Sequence, residues 1–504
     1  MQIRVNKKNK LKGEITIPAD KSISHRAVMF ASLAKGISVI KNFSKGADCL
    51  STLEVIKALG VDAQFKDEKT LIINSKGVFT APRNDLYCGN SGTTMRLMAG
   101  ILAGQSFNSV LTGDESLSKR PMGRIIEPLE MMGAKIEAKS KKQKKRRQED
   151  KKTRCVEGQD ENYASTLLRI HASDNLSTFQ PFSLSAPSHL SPLTSHLVAP
   201  LKIHGTTLHG IDYISELSSA QVKSCVLLAG LHAEGKTSFT EPYLSRNHTE
   251  RMLEYLGARI TRGEEAKRHR CIETNDVTFH ASTPPRLLSS AFTTIEPSTL
   301  QARKLSIPGD ISSAAFFIVA GLIVPNSEII LKNVGLNPTR TGILDIVEKM
   351  GGDIEILDKK IVSNEEVGDL RVKSSDLKSC TIEGDIIPRL IDELPVIAVL
   401  ATQAQGTTVI KEAQDLRNKE SDRIKAVVEE LKKIGADIEE TEDGFVINGK
   451  KTLKGGVKVE TYHDHRLAMS LYVAGLICEN PILINGFEWV NISFPEFEDL
   501  MNRI

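Results

Sequence analysis

Apolar positions along the chain gather in a unit that recurs six times: an Ala-rich apolar helix, a turn, then a short β-branched strand. The copies are "AVMFASLAKGISVIKNF", "RLMAGILAGQSFNSVLTG", "KSCVLLAGLHAEGKTSFTE", "AFFIVAGLIVPNSEIILKN", "PVIAVLATQAQGTTVIKEA" and "RLAMSLYVAGLICENPILING". In the first five a second helix follows and ends at a glycine before another strand: "IKALGVDAQF", "EMMGAKIEA", "EYLGARITR", "EKMGGDIEI" and "KKIGADIEE". Gly60, Gly133, Gly257, Gly351 and Gly435 stand where a helix end favours a left-handed residue. Each unit therefore reads strand, helix, strand, helix, strand, and the expected fold class is α/β, six units in two sets of three.

The cap glycines are furthest apart between Gly133 and Gly257, and next between Gly257 and Gly351, which locates extra chain near 139–199 and 262–303. The first stretch holds the basic run "KSKKQKKRRQEDKKTR" and the Ser/Pro-rich "STFQPFSLSAPSHLSPLTSHLVAP"; the second holds "HASTPPRLLSSAFTTIEPSTLQARK". Neither has a clear helical or strand period, so both are expected to be surface loops or disordered inserts. For the basic run a solvated loop is favoured over an RNA, membrane or protein-docking role.

At 504 residues and 40% hydrophobic content the chain exceeds the usual size of one domain, so two are expected. The net charge of +3 is produced by the basic run; without it the chain is slightly acidic, and no general polyanion-binding surface is expected. The seven cysteines are widely spaced with no C-x-x-C pair, which points to a reduced, cytoplasmic protein without disulfides or a zinc knuckle. The N-terminus has no apolar signal region, and the longest apolar run, "AAFFIVAGLIV", is too short to span a bilayer. Neither a membrane nor a nucleic acid is an expected partner.

Chemistry collects just ahead of the repeated first helices: "DKSISHR", "GNSGTTMR", "ELSSAQVK", "PGDISSA", "LIDELP" and "YHDHR". Unsatisfied N–H groups and the dipole make such helix starts suited to anions. Further cations lie in "SKRPMGR" (Arg120), "SRNHTER" (Arg246) and "NKESDR" (Lys419, Arg423), with Asp392 and Glu420 among them as a base and acid pair. The counterpart is a ligand carrying several phosphate or carboxylate groups. Individually the motifs are weak: "PGDISSA" can be a turn with a capping Asp or Ser, Asp392 and Glu393 can merely cap a helix, and "HDH" at 463–465 lacks a third metal ligand. Their joint occurrence at matching positions gives them weight.

Taken as a set, "DKSISHRA", "GNSGTTMRL", "KRPMGR", "SAQVKSCVLLAGL", "SRNHTERM", "PGDISSAAFF", "LIDELPVIAV", "RNKESDRI" and "HDHRLAMS" resemble the 3-phosphoshikimate 1-carboxyvinyltransferase (EPSP synthase) family of enolpyruvyltransferases. Only the two insert regions lie outside this resemblance. It implies a two-domain inside-out α/β barrel of six βαβαββ repeats, three per domain, with residues 20–307 in one domain and 1–19 with 308–504 in the other. It also implies transfer of the enolpyruvyl group of phosphoenolpyruvate to the 5-hydroxyl of shikimate 3-phosphate, with release of phosphate. No cofactor or metal is implied, because cations and carboxylates manage the charge.

By the same resemblance Lys21 bridges both substrates and joins Asp392 and Glu420 as catalytic groups. Ser22, Arg26, Ser219, Gln221, Arg246, Asp392 and Lys419 fall on the shikimate 3-phosphate side. Gly92, Arg120, Gln221, Arg423 and Arg466 fall on the phosphoenolpyruvate side. Asp392 is implied as base on the 5-hydroxyl and Glu420 as proton donor to carbon. Glyphosate is implied as an inhibitor in the phosphoenolpyruvate site, where Gly92 leaves room, and the protein is expected to be a monomer.

Two positions depart from the pattern of some members: Ala220 replaces a second serine before Gln221, and Ile492 stands where a lysine precedes "FP". The alternatives are a UDP-N-acetylglucosamine enolpyruvyltransferase and a non-catalytic nucleic-acid-binding protein using the basic run. The first usually has "KN" near the start and a reactive cysteine after the second unit; here the start is "KSISHR" and no cysteine lies between Cys88 and Cys155. Against the second, the whole charged set is present.

Overall fold

The computed structural model describes residues 1–140, 197–266 and 289–504. Most of the basic run, most of the first insert and residues 267–288 lie outside the described residues. The described chain forms six small mixed sheets, five of four strands and one of three. In the sheet built from Leu86–Tyr87, Ser109–Thr112, Leu197–His204 and Lys135–Ser140, the first two strands are parallel and enclose the Gly92–Ala103 helix, and the other pairings are antiparallel. The sheets containing Thr237–Glu241 and Thr407–Ile410 have the same order.

Parts of the regions assigned above to inserts are strands. Leu197–His204 pairs with Lys135–Ser140, and Ser289–Ile295 lies between Thr237–Glu241 and Ile260–Ala266. The segment "SSAFTTI" is short and framed by proline-rich sequence, which hid its period. Its β-branched Thr293, Thr294 and Ile295 suit a pleated surface, with Ile295 fully buried on the core side.

Buried helices follow from sequences apolar on nearly every face. In Ile311–Ile323 every residue but Ser313 is buried, and Asp310 caps it by accepting the Ser312 N–H at 2.9 Å. Asp20 and Asp464 cap the Lys21–Leu33 and His465–Gly475 helices in the same way. All five glycines expected to end the second helices have positive φ, from +80° at Gly351 to +102° at Gly435. "PGDISSA" is thus used as a turn and cap, and in "YHDHR" Asp464 Oδ1 caps a helix.

The chain crosses twice between two hydrophobic cores. One core draws on residues 19–307, the other on residues 5–17 and 311–504. Lys12–Thr16 pairs in parallel with Glu328–Gly335, whereas Lys304–Ser306 pairs in parallel with Gly36–Lys41, so the strand leading into each crossing completes a sheet of the core it leaves. At the crossing the Asp20 N–H donates to the Pro308 carbonyl and the Asp310 N–H donates to the Pro18 carbonyl, both at 2.8 Å. This places the cap of Lys21–Leu33 beside the cap of Ile311–Ile323, where the two cores meet.

Within the first core, Gly92–Ala103 and Ala220–Gly230 touch backbone to backbone. A Cβ on Gly100 would lie 2.2 Å from the Cys225 carbonyl oxygen, so nothing larger than hydrogen fits unless the helices part. Gly100→Ala is expected to lower stability by about 3 kcal/mol, read from the urea-unfolding midpoint. An unchanged midpoint would mean that the contact is not tight.

Candidate active site

Two helix starts and the turns beside them build one wall. Gly92 opens its helix behind the Ser91 cap, and a Cβ there would lie 3.2 Å from Arg96 Nη1 and 3.5 Å from Arg120 Nη1. The missing side chain thus leaves space into which two guanidinium groups lean. Arg120 donates to Asn90 Oδ1 at 2.7 Å. Arg96 donates to Gln221 Oε1 on the neighbouring helix, and Gln221 Nε2 donates to Thr93 at 3.1 Å. Burial, with Arg120 and Arg124 nearby, brings the Arg96 pKa down to about 10, which leaves it charged near neutrality.

The Lys21–Leu33 helix supplies the second cluster. Lys21 Nζ pairs with Asp48 at 3.1 Å. Burial alone would lower the Lys21 pKa, but the charges of Asp48 and Glu420 outweigh it and raise it. Arg26 is buried, donating from Nε to Thr249 at 2.7 Å, from Nη2 to Ser224 at 2.9 Å and from Nη1 to the Ser22 carbonyl at 3.0 Å. Ser219 sits at the N-cap of Ala220–Gly230 with no capping bond.

Across from these, Asp392 gathers cations. Its carboxylate meets Arg246, Lys419 Nζ at 3.3 Å and Arg423 Nη1 at 3.4 Å, and its carbonyl accepts from Arg466 Nη1 at 3.2 Å. Arg246 belongs to the part of the chain that forms one core, and the other four residues to the part that forms the second. Arg423 is buried and also binds Glu420 at 2.7 Å and Asp464 at 2.7 Å. Burial would raise the pKa of both Asp392 and Glu420, but surrounding cations reverse this. Lys419, Arg246, Arg466 and Arg423 hold Asp392 well below the usual carboxylate range, and Arg423, Arg120 and Lys419 do the same for Glu420.

Of the sequence-derived set, contacts join Arg246, Asp392, Lys419, Glu420, Arg423 and Arg466 in one cluster, and Gln221 meets the Gly92 helix through Arg96 and Thr93; Arg120 leans toward Gly92, Lys21 pairs with Asp48, Arg26 meets Ser22 only through the Ser22 carbonyl, and Ser219 makes no capping bond. Three working residues, Arg96, Asp48 and Arg340, were not singled out, and Asp464 was weighed only within "HDH" as a metal ligand. Arg96 lay unremarked inside "GNSGTTMR", one helical turn after Gly92 and hence on its face. Asp48, Asp464 and Arg340 gave no sign of their role, because each acts through a partner distant in sequence. Arg340 is buried at the crossing, bonded to Ser312 and within 3.9 Å of Asp20, Asp310 and Glu393.

A two-core α/β protein with a buried field of cations around two carboxylates belongs to the class of proteins suited to small polyanionic ligands. The family model described as EPSP synthase (3-phosphoshikimate 1-carboxyvinyltransferase) matches residues 5–157, 193–275 and 288–501, and the chain belongs to that family. The chain is 46% identical over 498 residues to the 3-phosphoshikimate 1-carboxyvinyltransferase of Thermoanaerobacter sp. (strain X514), covering 99% of this chain and 98% of that one. With the Bacillus subtilis (strain 168) protein of the same name it is 43% identical over 496 residues, covering 98% and 97%. The solved EPSP synthase of Acinetobacter baumannii superposes with a TM-score of 0.76 at 36% identity, covering 100% of this chain and 98% of that one. The match also corrects the insert bounds: 139–157, 193–199, 262–275 and 288–303, expected to fall outside the family pattern, are inside it.

The buried histidines give the site a pH signature. Burial brings the His25 pKa down to about 3 and that of His465 to about 4. Between these values and about 6.5 the unfolded chain binds protons that the folded chain does not, so stability rises with pH across that window. Asp392 and Glu420 act in the same direction at lower pH: their contribution is present above the unfolded carboxylate values and fades as pH falls toward their depressed folded ones. The urea midpoint is expected to drop steadily from pH 7 to pH 4, and His25→Asn to flatten that slope. A pH-independent midpoint would contradict the neutral buried imidazoles.

Proposed function

We infer that this chain is a 3-phosphoshikimate 1-carboxyvinyltransferase, joining the enolpyruvyl group of phosphoenolpyruvate to the 5-hydroxyl of shikimate 3-phosphate and releasing phosphate, a step of the shikimate pathway of aromatic amino acid biosynthesis. Membership of the family over nearly the whole chain supports this. The observation that carries the mechanism is Asp392, an ionised carboxylate ringed by Arg246, Lys419 and Arg423.

In the proposed assignment Arg26, Ser22, Ser219 and Arg246 hold shikimate 3-phosphate, with Lys419 beside its hydroxyl. Arg120, Arg423 and Arg466, with Gly92 allowing close approach, hold phosphoenolpyruvate; Lys21 and Gln221 reach both. Asp392 removes the hydroxyl proton. Glu420 must carry a proton to the methylene carbon, yet without substrate its surrounding cations keep it ionised. Anionic substrates would engage those cations and raise the Glu420 pKa, so the acid is armed only in the filled site. The adjacent, phosphate-bearing carbon then gains cationic character, the hydroxyl oxygen bonds to it to give a tetrahedral intermediate, and loss of a proton from the new methyl group with cleavage of the carbon–phosphate oxygen bond expels phosphate. Cations stabilise each change of charge without a cofactor or metal.

The two cores support a reading as two domains, 20–307 and 1–19 with 308–504, each containing three βαβαββ repeats of an inside-out barrel. Because cations come from both, substrate should draw the domains together. Glyphosate is proposed to compete at the phosphoenolpyruvate side, and the protein to act as a cytoplasmic monomer.

The test is phosphate release from phosphoenolpyruvate by the purified chain. Release should require shikimate 3-phosphate and fall by roughly a hundredfold or more in Asp392→Asn and in Glu420→Gln. Release without the second substrate, or full activity in either variant, would overturn the assignment.

A further inference from the structure

Lys223 is fully buried on the Ala220–Gly230 helix, inside "ELSSAQVK", and takes no part in the chemistry above. Its Nζ donates to Glu241 Oε1 at 2.7 Å, pairs with Glu250 Oε1 at 2.9 Å and donates to the Ser245 carbonyl at 3.1 Å. Glu241 ends the Thr237–Glu241 strand, and Glu250 lies in the first turn of the His248–Tyr255 helix. The loop strung between these carboxylates carries Arg246. One ammonium thus clasps both ends of that loop and its middle, where the Ser245 N–H also donates to Glu241 at 2.9 Å.

The same helix aims a second cation. Ser224, next to Lys223, accepts from Arg26 Nη2 at 2.9 Å and shares a hydrogen bond with Thr249 at 2.6 Å, and Thr249 accepts from Arg26 Nε. Thr249 and Glu250 are neighbours, so the clasp that fixes Glu250 also fixes the hydroxyl that holds Arg26.

We propose that Lys223 is a positioning residue that sets Arg246 and Arg26 for shikimate 3-phosphate and leaves the phosphoenolpyruvate side untouched. Stability is a poor reason for such a group, since a buried ion pair gives little net gain over neutral residues of similar volume. Geometry is the better one: two arginines from different elements must present their donors to one anion, and flexible loops do not hold such spacing unaided. The cations facing phosphoenolpyruvate, Arg120, Arg423 and Arg466, make no contact with Lys223. The inference rests on the assignment of Arg246 and Arg26 to shikimate 3-phosphate.

The experiment measures steady-state phosphate release with each substrate varied in turn, for the wild type, Lys223→Met, and the charge-free Lys223→Met/Glu241→Gln/Glu250→Gln variant, which buries no unpaired charge. In both variants KM for shikimate 3-phosphate is expected to rise roughly tenfold, with KM for phosphoenolpyruvate within about twofold of wild type. An unchanged KM for shikimate 3-phosphate in the folded charge-free variant would overturn the inference, as would equal rises for both substrates. A wild type that needs no shikimate 3-phosphate would instead bring down the functional reading on which this one stands.

Discussion

Like charges gathered out of water must be neutralised, and the structure is organised around that constraint. Two unit charges 4 Å apart interact by about 4 kcal/mol at an effective dielectric near 20, so a site holding Lys21, Arg96, Arg120, Arg246, Lys419, Arg423 and Arg466 could not persist without carboxylates placed among them. Asp48 answers Lys21, Asp464 answers Arg423, and Asp392 answers three cations at once. Asp48 and Asp464 come from other elements than the cations they balance, and Asp392 comes from a different element than each of its three. The helices bearing the cations are held at fixed spacing by ion pairs as well as by apolar packing.

This balance leaves the site ready for substrate. Arg423 has its carboxylate partners already, whereas Arg96 and Arg120 lean on neutral amide oxygens of Gln221 and Asn90. Neutral acceptors satisfy donors without cancelling their charge, so these guanidinium groups keep a positive field for an incoming anion. The same surplus of positive charge explains the state of the carboxylates: each is outnumbered by the cations around it, so Asp392 and Glu420 are ionised, and negative charge brought in by a substrate would oppose that.

The crossing transmits this arrangement between the two cores. Asp20 and Asp310 cap the helices on either side of it, and Arg340 lies against both and against Glu393, the residue after Asp392. Movement of one core relative to the other must therefore strain buried charge contacts next to Lys21 and Asp392.

Much of this was legible in the chain itself. The alternation of apolar helix and β-branched strand, together with glycines at helix ends, pointed to an α/β protein, because helix periodicity, capping and turn chemistry are local, and the described chain forms six small mixed sheets. The cations and the two carboxylates stood out for the same reason: they precede helix starts within a few residues. Short strands such as Ser289–Ile295 were missed, since seven residues flanked by proline-rich chain carry little period and gain their order by pairing with Thr237–Glu241 and Ile260–Ala266.

What tertiary structure alone decided was partnership. That Asp48 meets Lys21, that Asp464 meets Arg423, that Arg246 reaches Asp392 from the other core, and that Lys223 clasps the loop before Asn247 are contacts across 18 to 146 residues of sequence. A side chain's neighbours at that separation depend on how whole sheets and helices pack, and on burial that turns a weak aqueous attraction into a strong one. Residue type and local spacing reveal which groups can carry charge; only packing settles which charge each one answers.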